Sequence, residues 1–375
     1  MAIKSVLQKV VYLANRLIPK KKNQIFFFSS PDYSDNARAI YEEMVRQNLS
    51  HDYKVVWVVR NPERFENVLK DVVVVKPKTF GAFWQFCRSK YIVRTHSIFG
   101  DKYVVGKQTM CVAWHGMPLK RLVKNDGTVS KVECDMLLST APFFDKELAG
   151  SIGQETSVCR HLGLPRNDEL FLEGEELAHI YPNFAKRFIW MPTFRSANGF
   201  SDGVDSEIGL PFLKKDQLSE LNEVLKAHNY LLILKLHPWS AEKLDGISYS
   251  NIVNLKDADI VGKASLYKLL GQTEALITDY SSVYIDYLLT DKPICFAYDD
   301  LEQYRETRGF AFEPVEQYMP GQVVSTCDEL ISWFENLETA DNFVEQRREL
   351  KNLFFVYPDG NSAKRVLDEL GINKK

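Results

Sequence analysis

The feature that most constrains the fold is an alternation that runs twice along the chain. Apolar runs of strand length are separated by segments with helical spacing. In the first half Gln24-Ile25-Phe26-Phe27-Phe28-Ser29-Ser30 precedes a helical stretch near 37–47. Further runs lie at 53–59 and 71–76, and helix-like 80–88 leads to Tyr91-Ile92-Val93-Arg94, 110–114 and 135–139. Runs that are apolar at every position, rather than every second one, suit strands buried on both faces, the habit of parallel sheets covered by helices. Residues 167–182 are acidic and carry no strand pattern, so a linker is expected there. The alternation restarts at Arg187-Phe188-Ile189-Trp190-Met191 and recurs at 230–236, 251–255, 275–278 and 293–298. Helical patterns lie between, at 214–227 and 264–270, and two more close the chain near 343–354 and 362–370. A chain of 375 residues exceeds one ordinary core and fits two domains. The expected class is therefore α/β, two doubly wound Rossmann-like domains facing an interdomain cleft, with ligands at the carboxyl ends of the strands. The expected boundaries are 1–22 for an N-terminal helix, 23–172 for the first domain and 173–375 for the second, the last helices free to cross back.

Composition removes several classes. With 45% hydrophobic and 26% charged residues the chain is an ordinary folded protein, and a net charge of −3 gives no reason to expect nucleic acid as a partner. Cys87, Cys111, Cys134, Cys159, Cys295 and Cys327 show no CxxC or other metal spacing and read as small core residues in a reducing compartment. No run approaches 18 uninterrupted apolar residues, so no spanning helix is expected. The N-terminus carries an apolar stripe, Ile3, Val6, Leu7, Val10, Leu13, Ala14, Leu17 and Ile18, with Lys4, Lys9, Asn15 and Arg16 off it and Lys20-Lys21-Lys22 behind. Lys9 interrupts what a signal peptide would keep apolar. Such a helix either lies in an anionic membrane interface or packs on its own domain, and amphipathicity alone does not separate the two.

Several polar clusters fall at strand ends. His115, in Trp114-His115-Gly116-Met117-Pro118-Leu119-Lys120, and His237, in Leu234-Lys235-Leu236-His237-Pro238, each follow a strand, one per expected domain. A neutral imidazole accepts a proton from a hydroxyl, and an imidazolium stabilises a phosphate. Asp279-Tyr280-Ser281-Ser282 joins the run 275–278 to an amphipathic segment, Val283 to Leu289, which places two hydroxyls and free N–H groups at a helix start. Arg195, in Met191-Pro192-Thr193-Phe194-Arg195, is placed to reach a phosphate bidentately. Lys120, Arg121 and Lys124 form a basic patch after His115, and His161-Leu162-Gly163-Leu164-Pro165-Arg166-Asn167-Asp168 sits at the domain junction. His51, His96, His161, His179 and His228 have weaker contexts, though His161 is near a strand end. The polar loop 196–210 is long enough for a mobile lid. No GxGxxG or GxxxxGK[ST] occurs, and no DxD follows a strand, Asp299-Asp300 coming nearest, so neither a dinucleotide cofactor nor a metal is called for.

At these residues the chain resembles the CDP-glycerol glycerophosphotransferase family, the teichoic acid primases and polymerases. The matching motifs are Trp114-His115-Gly116 with Pro118-Leu119-Lys120, then Gly163-Leu164-Pro165-Arg166-Asn167-Asp168, Pro192-Thr193-Phe194-Arg195, Leu236-His237-Pro238 and Thr278-Asp279-Tyr280-Ser281-Ser282. Tyr304, Arg308-Gly309-Phe310 and Asp359-Gly360 fit the closing segments, so the likeness covers nearly all of the chain from Gln24 onward. It implies a GT-B fold, an acceptor-side first domain, a second domain that binds a CDP-alditol, and a peripheral location on the cytoplasmic face of the membrane. It also implies catalytic roles for His115 and His237. Arg195, Ser281, Ser282, Asp279, Thr193 and Pro238 are then expected at the donor, and Gly116, Lys120, Arg121, Arg166 and Asn167 at acceptor or phosphate. The expected reaction moves sn-glycerol 3-phosphate from CDP-glycerol to a hydroxyl of a lipid-linked or polymeric acceptor in teichoic acid or capsule synthesis, with CMP leaving. Alternatives are a CDP-ribitol donor, a UDP-sugar glycosyltransferase on the same fold, or a non-catalytic scaffold of a polymer-export assembly. Two departures bear on this. Phe312-Glu313-Pro314 lacks the acidic and aromatic sequence expected after Arg308-Gly309-Phe310, which leaves alditol specificity open. The chain has no counterpart of the large polymerases' extra N-terminal domain, which leans towards a primase or short polymerase. Homo-oligomerisation stays open.

Overall fold

The computed structural model describes residues 12–98, 105–122, 129, 131–193, 196–197, 200–201, 207–236, 240, 242–244, 248–260, 264–337 and 341–373. The chain divides into two compact units, one of residues 1–117, 123–168 and 355–375, the other of 118–122 and 169–354.

The first unit is a sheet of seven strands: β1 (Lys21–Phe28), β2 (Lys54–Val58), β3 (Val73–Val75), β4 (Ser89–Arg94), β5 (Thr109–Val112), β6 (Met136–Ser139) and β7 (Cys159–His161). Their order is β3-β2-β1-β4-β5-β6-β7, and every pairing is parallel. Ile25, Phe26 and Phe27 are fully buried, as are Val56, Trp57 and Val58 across the ladder, because helices cover both faces. The helix Asp35–Arg46 turns Ala37, Ile40 and Met44 inward, the 3.6-residue spacing its sequence shows. The edge strand β7 has no continuous apolar run, and its sequence gave no strand signal.

The second unit repeats the plan. Its strands are β8 (Lys186–Met191), β9 (Ser196–Ala197), β10 (Phe200–Ser201), β11 (Tyr230–Leu234), β12 (Ile252–Asn254), β13 (Ala275–Thr278), β14 (Ile294–Ala297) and β15 (Gln322–Val324). The six-stranded parallel sheet runs β12-β11-β8-β13-β14-β15, while β9 and β10 form a small antiparallel pair. Phe188 and Trp190 point to one face with Leu232, Leu234, Ile277 and the helix residues Leu221, Leu225, Leu330 and Phe334, forming one buried cluster. In both sheets the chain reverses its direction of progress beside the first strand, so the switch points lie at β1/β4 and β8/β13.

The layout differs from expectation in three places. The compact units divide at 168/169 rather than 172/173; the last helix, Ser362–Glu369, which the sequence left free to cross back, joins the first unit, where the Asp168 carboxylate accepts the Ser362 and Ala363 N–H groups at 2.8 Å. Residues 118–122, placed by sequence in the first domain, belong to the second: Ala311 N–H donates to Leu119 O at 2.8 Å and Arg121 N–H to Gly309 O at 3.1 Å. The lid expected at 196–210 contains β9 and β10, and its far end is core, with Ile208 2% exposed and Leu210 fully buried. The apolar side chains at 208 and 210, spaced by Gly209, were the overlooked signal.

Candidate active site

In an open doubly wound sheet, the crevice outside the carboxyl ends of the strands at the switch point is where ligands collect. In the first unit that place is framed by the segment after β1, by Thr95-His96 after β4, and by Trp114-His115-Gly116 just beyond β5. The β5 segment leaves the sheet after Ala113, whose N–H still donates to Arg94 O at 2.7 Å. Gly116 then takes φ 134°, a backbone conformation that side-chain-bearing residues rarely adopt, which explains a glycine directly after the histidine.

The loop is fastened from outside itself. Asn36, fully buried at the start of the helix Asp35–Arg46, donates its amide to Ala113 O at 3.1 Å and to Trp114 O at 2.6 Å. Its Oδ1 accepts the Arg166 N–H at 3.0 Å, and the Arg166 guanidinium pairs with Asp35 Oδ1 at 2.9 Å. One side chain thus ties the loop after β5 to the loop after β7. Arg166 was expected at a phosphate; the structure commits it to Asp35, with 9% of its surface exposed. Asn167 is 1% exposed and belongs to the same buried turn, its N–H donating to Leu164 O at 2.9 Å. Both residues shape the junction.

His115 keeps an exposed edge, yet protein packed around it displaces much of its solvent. Its ring stacks on Trp114, with centroids 4.6 Å apart, and on His96, at 5.0 Å with planes 18° apart. This desolvation, and then the neighbouring His96, hold the His115 imidazole below the ordinary histidine pKa; Arg166 pushes the same way, against Asp35 and a hydrogen bond that the ring donates to the Thr95 backbone. His96 is likewise lowered, first by burial. A neutral imidazole at the mouth of a sheet is a proton acceptor. Sequence reading gave His96 little weight and did not single out Asn36. His96 carries the signal that singled out His115, a histidine just past a strand. Asn36 carried none, since its role depends on contacts 77, 78 and 130 residues away in sequence.

In the second unit the switch point is framed by Pro192-Thr193 after β8 and by Asp279-Tyr280-Ser281-Ser282 after β13. Asp279, expected at the donor, is fully buried and accepts the Thr193 N–H at 2.8 Å; Thr278 donates its hydroxyl to Met191 O at 2.7 Å. These two bonds lock the turns together from below. Tyr280 is core, its hydroxyl donating to Asp300 at 3.0 Å and its ring against Tyr304 at 4.2 Å. Ser281 and Ser282 are half-buried, and Ser282 occupies the cap position without making a side-chain cap. Neither hydroxyl has a partner among the described residues, nor does the buried Thr193 Oγ1. The helix that follows, Val283–Tyr287, is a short α segment that tightens into a 3-10 turn at Leu288–Thr290, so the expected dipole is weak and the site rests on hydroxyls and first-turn N–H groups. Lys120 lies over the Tyr304 ring at 5.5 Å, and Arg121 O accepts from the Arg308 guanidinium at 2.6 Å, so the basic pair is tied to the Arg308-Gly309-Phe310 segment. His237, Pro238 and Arg195 lie outside the described residues, as does Lys124; Leu236, just before His237, is 3% exposed and continues from β11.

Comparison with known proteins agrees with this geometry. A family model described as CDP-Glycerol:Poly(glycerophosphate) glycerophosphotransferase matches residues 10–371. A teichoic acid poly(glycerol phosphate) polymerase of Bacillus spizizenii is 26% identical over 96% of this chain and 95% of its own length. The teichoic acid ribitol-phosphate polymerase TarK of Staphylococcus aureus is also 26% identical, over 98% of this chain and 72% of its own. Solved structures of the wall teichoic acid polymerase TagF superpose with a TM-score of 0.77, and 0.78 for a histidine-to-asparagine variant soaked with CDPG, each at 23% identity over 97% of this chain and 92% of that one. The fold is therefore GT-B-like α/β. With the family model matched along almost the whole sequence, the chain belongs to the CDP-glycerol:poly(glycerophosphate) glycerophosphotransferases, transferase enzymes of teichoic acid synthesis.

Proposed function

We propose that this enzyme transfers sn-glycerol 3-phosphate from CDP-glycerol to a hydroxyl of a lipid-linked or polymeric acceptor. The acceptor oxygen attacks the β-phosphorus in line, the phosphoanhydride bond to the α-phosphate breaks, and CMP departs with the bridging oxygen. The acceptor's proton passes to His115. Such a transfer needs positioning and charge stabilisation more than covalent chemistry. The single observation that carries this reading is the placement of His115 just beyond the carboxyl end of β5 at the switch point, on a loop held by Asn36 and with its ring stacked on Trp114 and His96. The uncommitted hydroxyls of Ser281, Ser282 and Thr193 support a phosphate subsite in the second unit, to which His237 and Arg195 contribute through their motifs. CDPG soaked into TagF supports the donor class.

A ribitol donor is the second reading, because TarK matches as well as the glycerol phosphate polymerase does. The deciding experiment measures CMP or UMP release from purified protein with CDP-glycerol, CDP-ribitol and UDP-sugars, using a lipid-linked disaccharide acceptor. CDP-glycerol turning over fastest supports the proposal. UDP-sugar turnover makes the chain a glycosyltransferase, and silence with every donor makes it a scaffold.

Peripheral attachment to an anionic membrane face completes the reading. Residues 12–17 are helical, and Tyr12, Leu13 and Leu17 are 38%, 55% and 82% exposed, while the polar Asn15 is buried and donates to Gln108 at 2.8 Å. This inverted burial turns apolar side chains outward, as interfacial binding requires. Ile3, Val6, Leu7 and Val10 of the stripe lie outside the described residues. Leu13→Glu with Leu17→Glu should abolish sedimentation with anionic liposomes and leave the melting temperature unchanged. Retained liposome binding would remove this helix from the membrane reading.

A further inference from the structure

We propose that the helix Phe80–Arg88 is a second membrane-docking element: its outward stripe, Phe80 and Trp84 with Arg88 beside them, lies in an anionic lipid interface together with the N-terminal helix. The inference rests on the peripheral reading of that N-terminal helix, and deepens it by naming a second contact that fixes how the first unit lies on the bilayer.

The helix Phe80–Arg88 is apolar on two sides. Ala82, Phe86 and Cys87 are buried against the first sheet, with Phe86 edge-on to Phe26 at 5.6 Å. Phe80, Trp84 and Arg88 recur at four-residue spacing and so form one stripe on the other side. Phe80 is 79% exposed and Trp84 39%, with their rings stacked at 6.5 Å. The Arg88 guanidinium lies over the Trp84 ring at 5.6 Å. A helix with apolar side chains on both sides calls for cover on both. Aromatic rings with a cation beside them suit the headgroup level of a bilayer, where the rings are buried and the charge reaches phosphate.

Charge selects anionic lipid as the occupant. The whole chain has a net charge of −3, yet 72–100 holds five Lys or Arg residues and no Asp or Glu, and 1–31 holds six and none. The fold fastens these two stretches together. Lys20 donates its ammonium to Cys87 O at 2.6 Å. Asn15 donates to Gln108 at 2.8 Å, and Gln108 donates to Phe86 O at 2.8 Å and Ser89 O at 3.1 Å. The last turn of the helix Phe80–Arg88 is thus bonded to the segment that exposes Leu13 and Leu17. Lys76 and Lys78 are exposed just before Phe80, and Lys54, with Asp52 two residues before it, donates to Gln85 at 3.3 Å. A basic surface of this kind is drawn to anionic headgroups, whereas two copies meeting through it would oppose like charges.

The second contact also sets an orientation. The N-terminal helix meets the sheet where β1 begins, and the eight residues of β1 run roughly 26 Å from there to the edge that bears His115. The helix Phe80–Arg88 runs back along the face of the sheet, from the loop after β3 to the start of β4. A bilayer that touches Phe80 as well therefore lies along the strands, which brings the His115 edge beside the headgroups.

The test titrates the intact chain against vesicles of phosphatidylglycerol and of phosphatidylcholine. Phe80→Ala with Trp84→Ala should weaken binding to phosphatidylglycerol by about ten-fold with the melting temperature unchanged. Phe80→Leu with Trp84→Leu should restore most of it. Trp84→Phe should bind as wild type does, but lose quenching of tryptophan fluorescence by lipid brominated on its acyl chains. Turnover on a vesicle-borne acceptor should fall in the alanine pair, and turnover on a short soluble acceptor should not. Unchanged binding in the alanine pair, or unchanged quenching in Trp84→Phe, overturns the proposal. So does a wild-type dimer that the alanine pair converts to monomer, which would make this face a contact between copies. Failure of the underlying reading is separate: it shows as liposome binding retained in Leu13→Glu with Leu17→Glu, whatever the variants at 80 and 84 give.

Discussion

The two sheets end in differently built loops. In the first unit the loop carrying His115 is fastened before any substrate arrives: Asn36 holds its carbonyls, Gly116 sets its turn, and Trp114 and His96 stack on the ring. In the second unit Asp279 and Thr278 fasten the turns from beneath, while the hydroxyls of Ser281, Ser282 and Thr193 have no partner among the described residues. A base must have its protonation state and direction fixed by the protein. A phosphate subsite needs donors left for the ligand, since donors already satisfied by the protein gain little on binding. On the proposed function, the contrast matches a base held in place in the first unit and donors left for a phosphate in the second.

The largest expected effect probes the first loop. His115→Ala should lower turnover by about 100-fold or more, the scale of a lost general base, with donor affinity little changed. Near wild-type turnover would remove His115 from the mechanism. A smaller effect should come from Asn36→Ala, which strands two carbonyls and the Arg166 N–H. Turnover should fall by roughly ten-fold through lost alignment, and chemical denaturation should show a loss of about 1–3 kcal/mol. The smallest effect is expected across the divide. Ser281→Ala with Ser282→Ala should weaken CDP-glycerol binding by about three-fold in calorimetry, with no change in melting temperature because neither hydroxyl has a partner among the described residues. If instead the serine pair costs stability as Asn36 does, the contrast between the two loops is false.

Much of this was legible in the sequence for a simple reason. Strands buried on both faces need every position apolar, so 25–28, 188–190, 230–234 and 275–277 announce themselves. The helix Phe80–Arg88 was equally plain, with Thr79 capping Ala82 N–H at 3.2 Å. Of the four edge strands of the two parallel sheets, β3 and β12 showed as apolar runs, while β7 and β15, each three residues long and carrying Arg160 or Gln322, did not. Histidines at strand ends were visible as candidates, but what each does was not. Asp279 and Arg166 have the chemistry of ligand contacts, and their bonds to Thr193 and Asp35 became visible only in the fold.

The path of the chain restricts how this enzyme can diversify. Neither unit is one continuous stretch: residues 169–354 interrupt the first unit, whose closing piece, 355–375, returns to it, and the strip 118–122 is lent to the second. A chimera joining halves of two relatives at a single breakpoint would detach the last helix from the Asp168 carboxylate that receives its first N–H groups. A viable exchange of the second unit must instead carry 169–354 as a cassette with two joints, and must bring a 118–122 strip that pairs with its own 309–311. Because that strip begins three residues after His115, the cassette and the His115 loop would have to be inherited together. Recombination between lineages should therefore leave the region after the Trp-His-Gly motif matched to the cassette, even where the rest of the first unit has drifted.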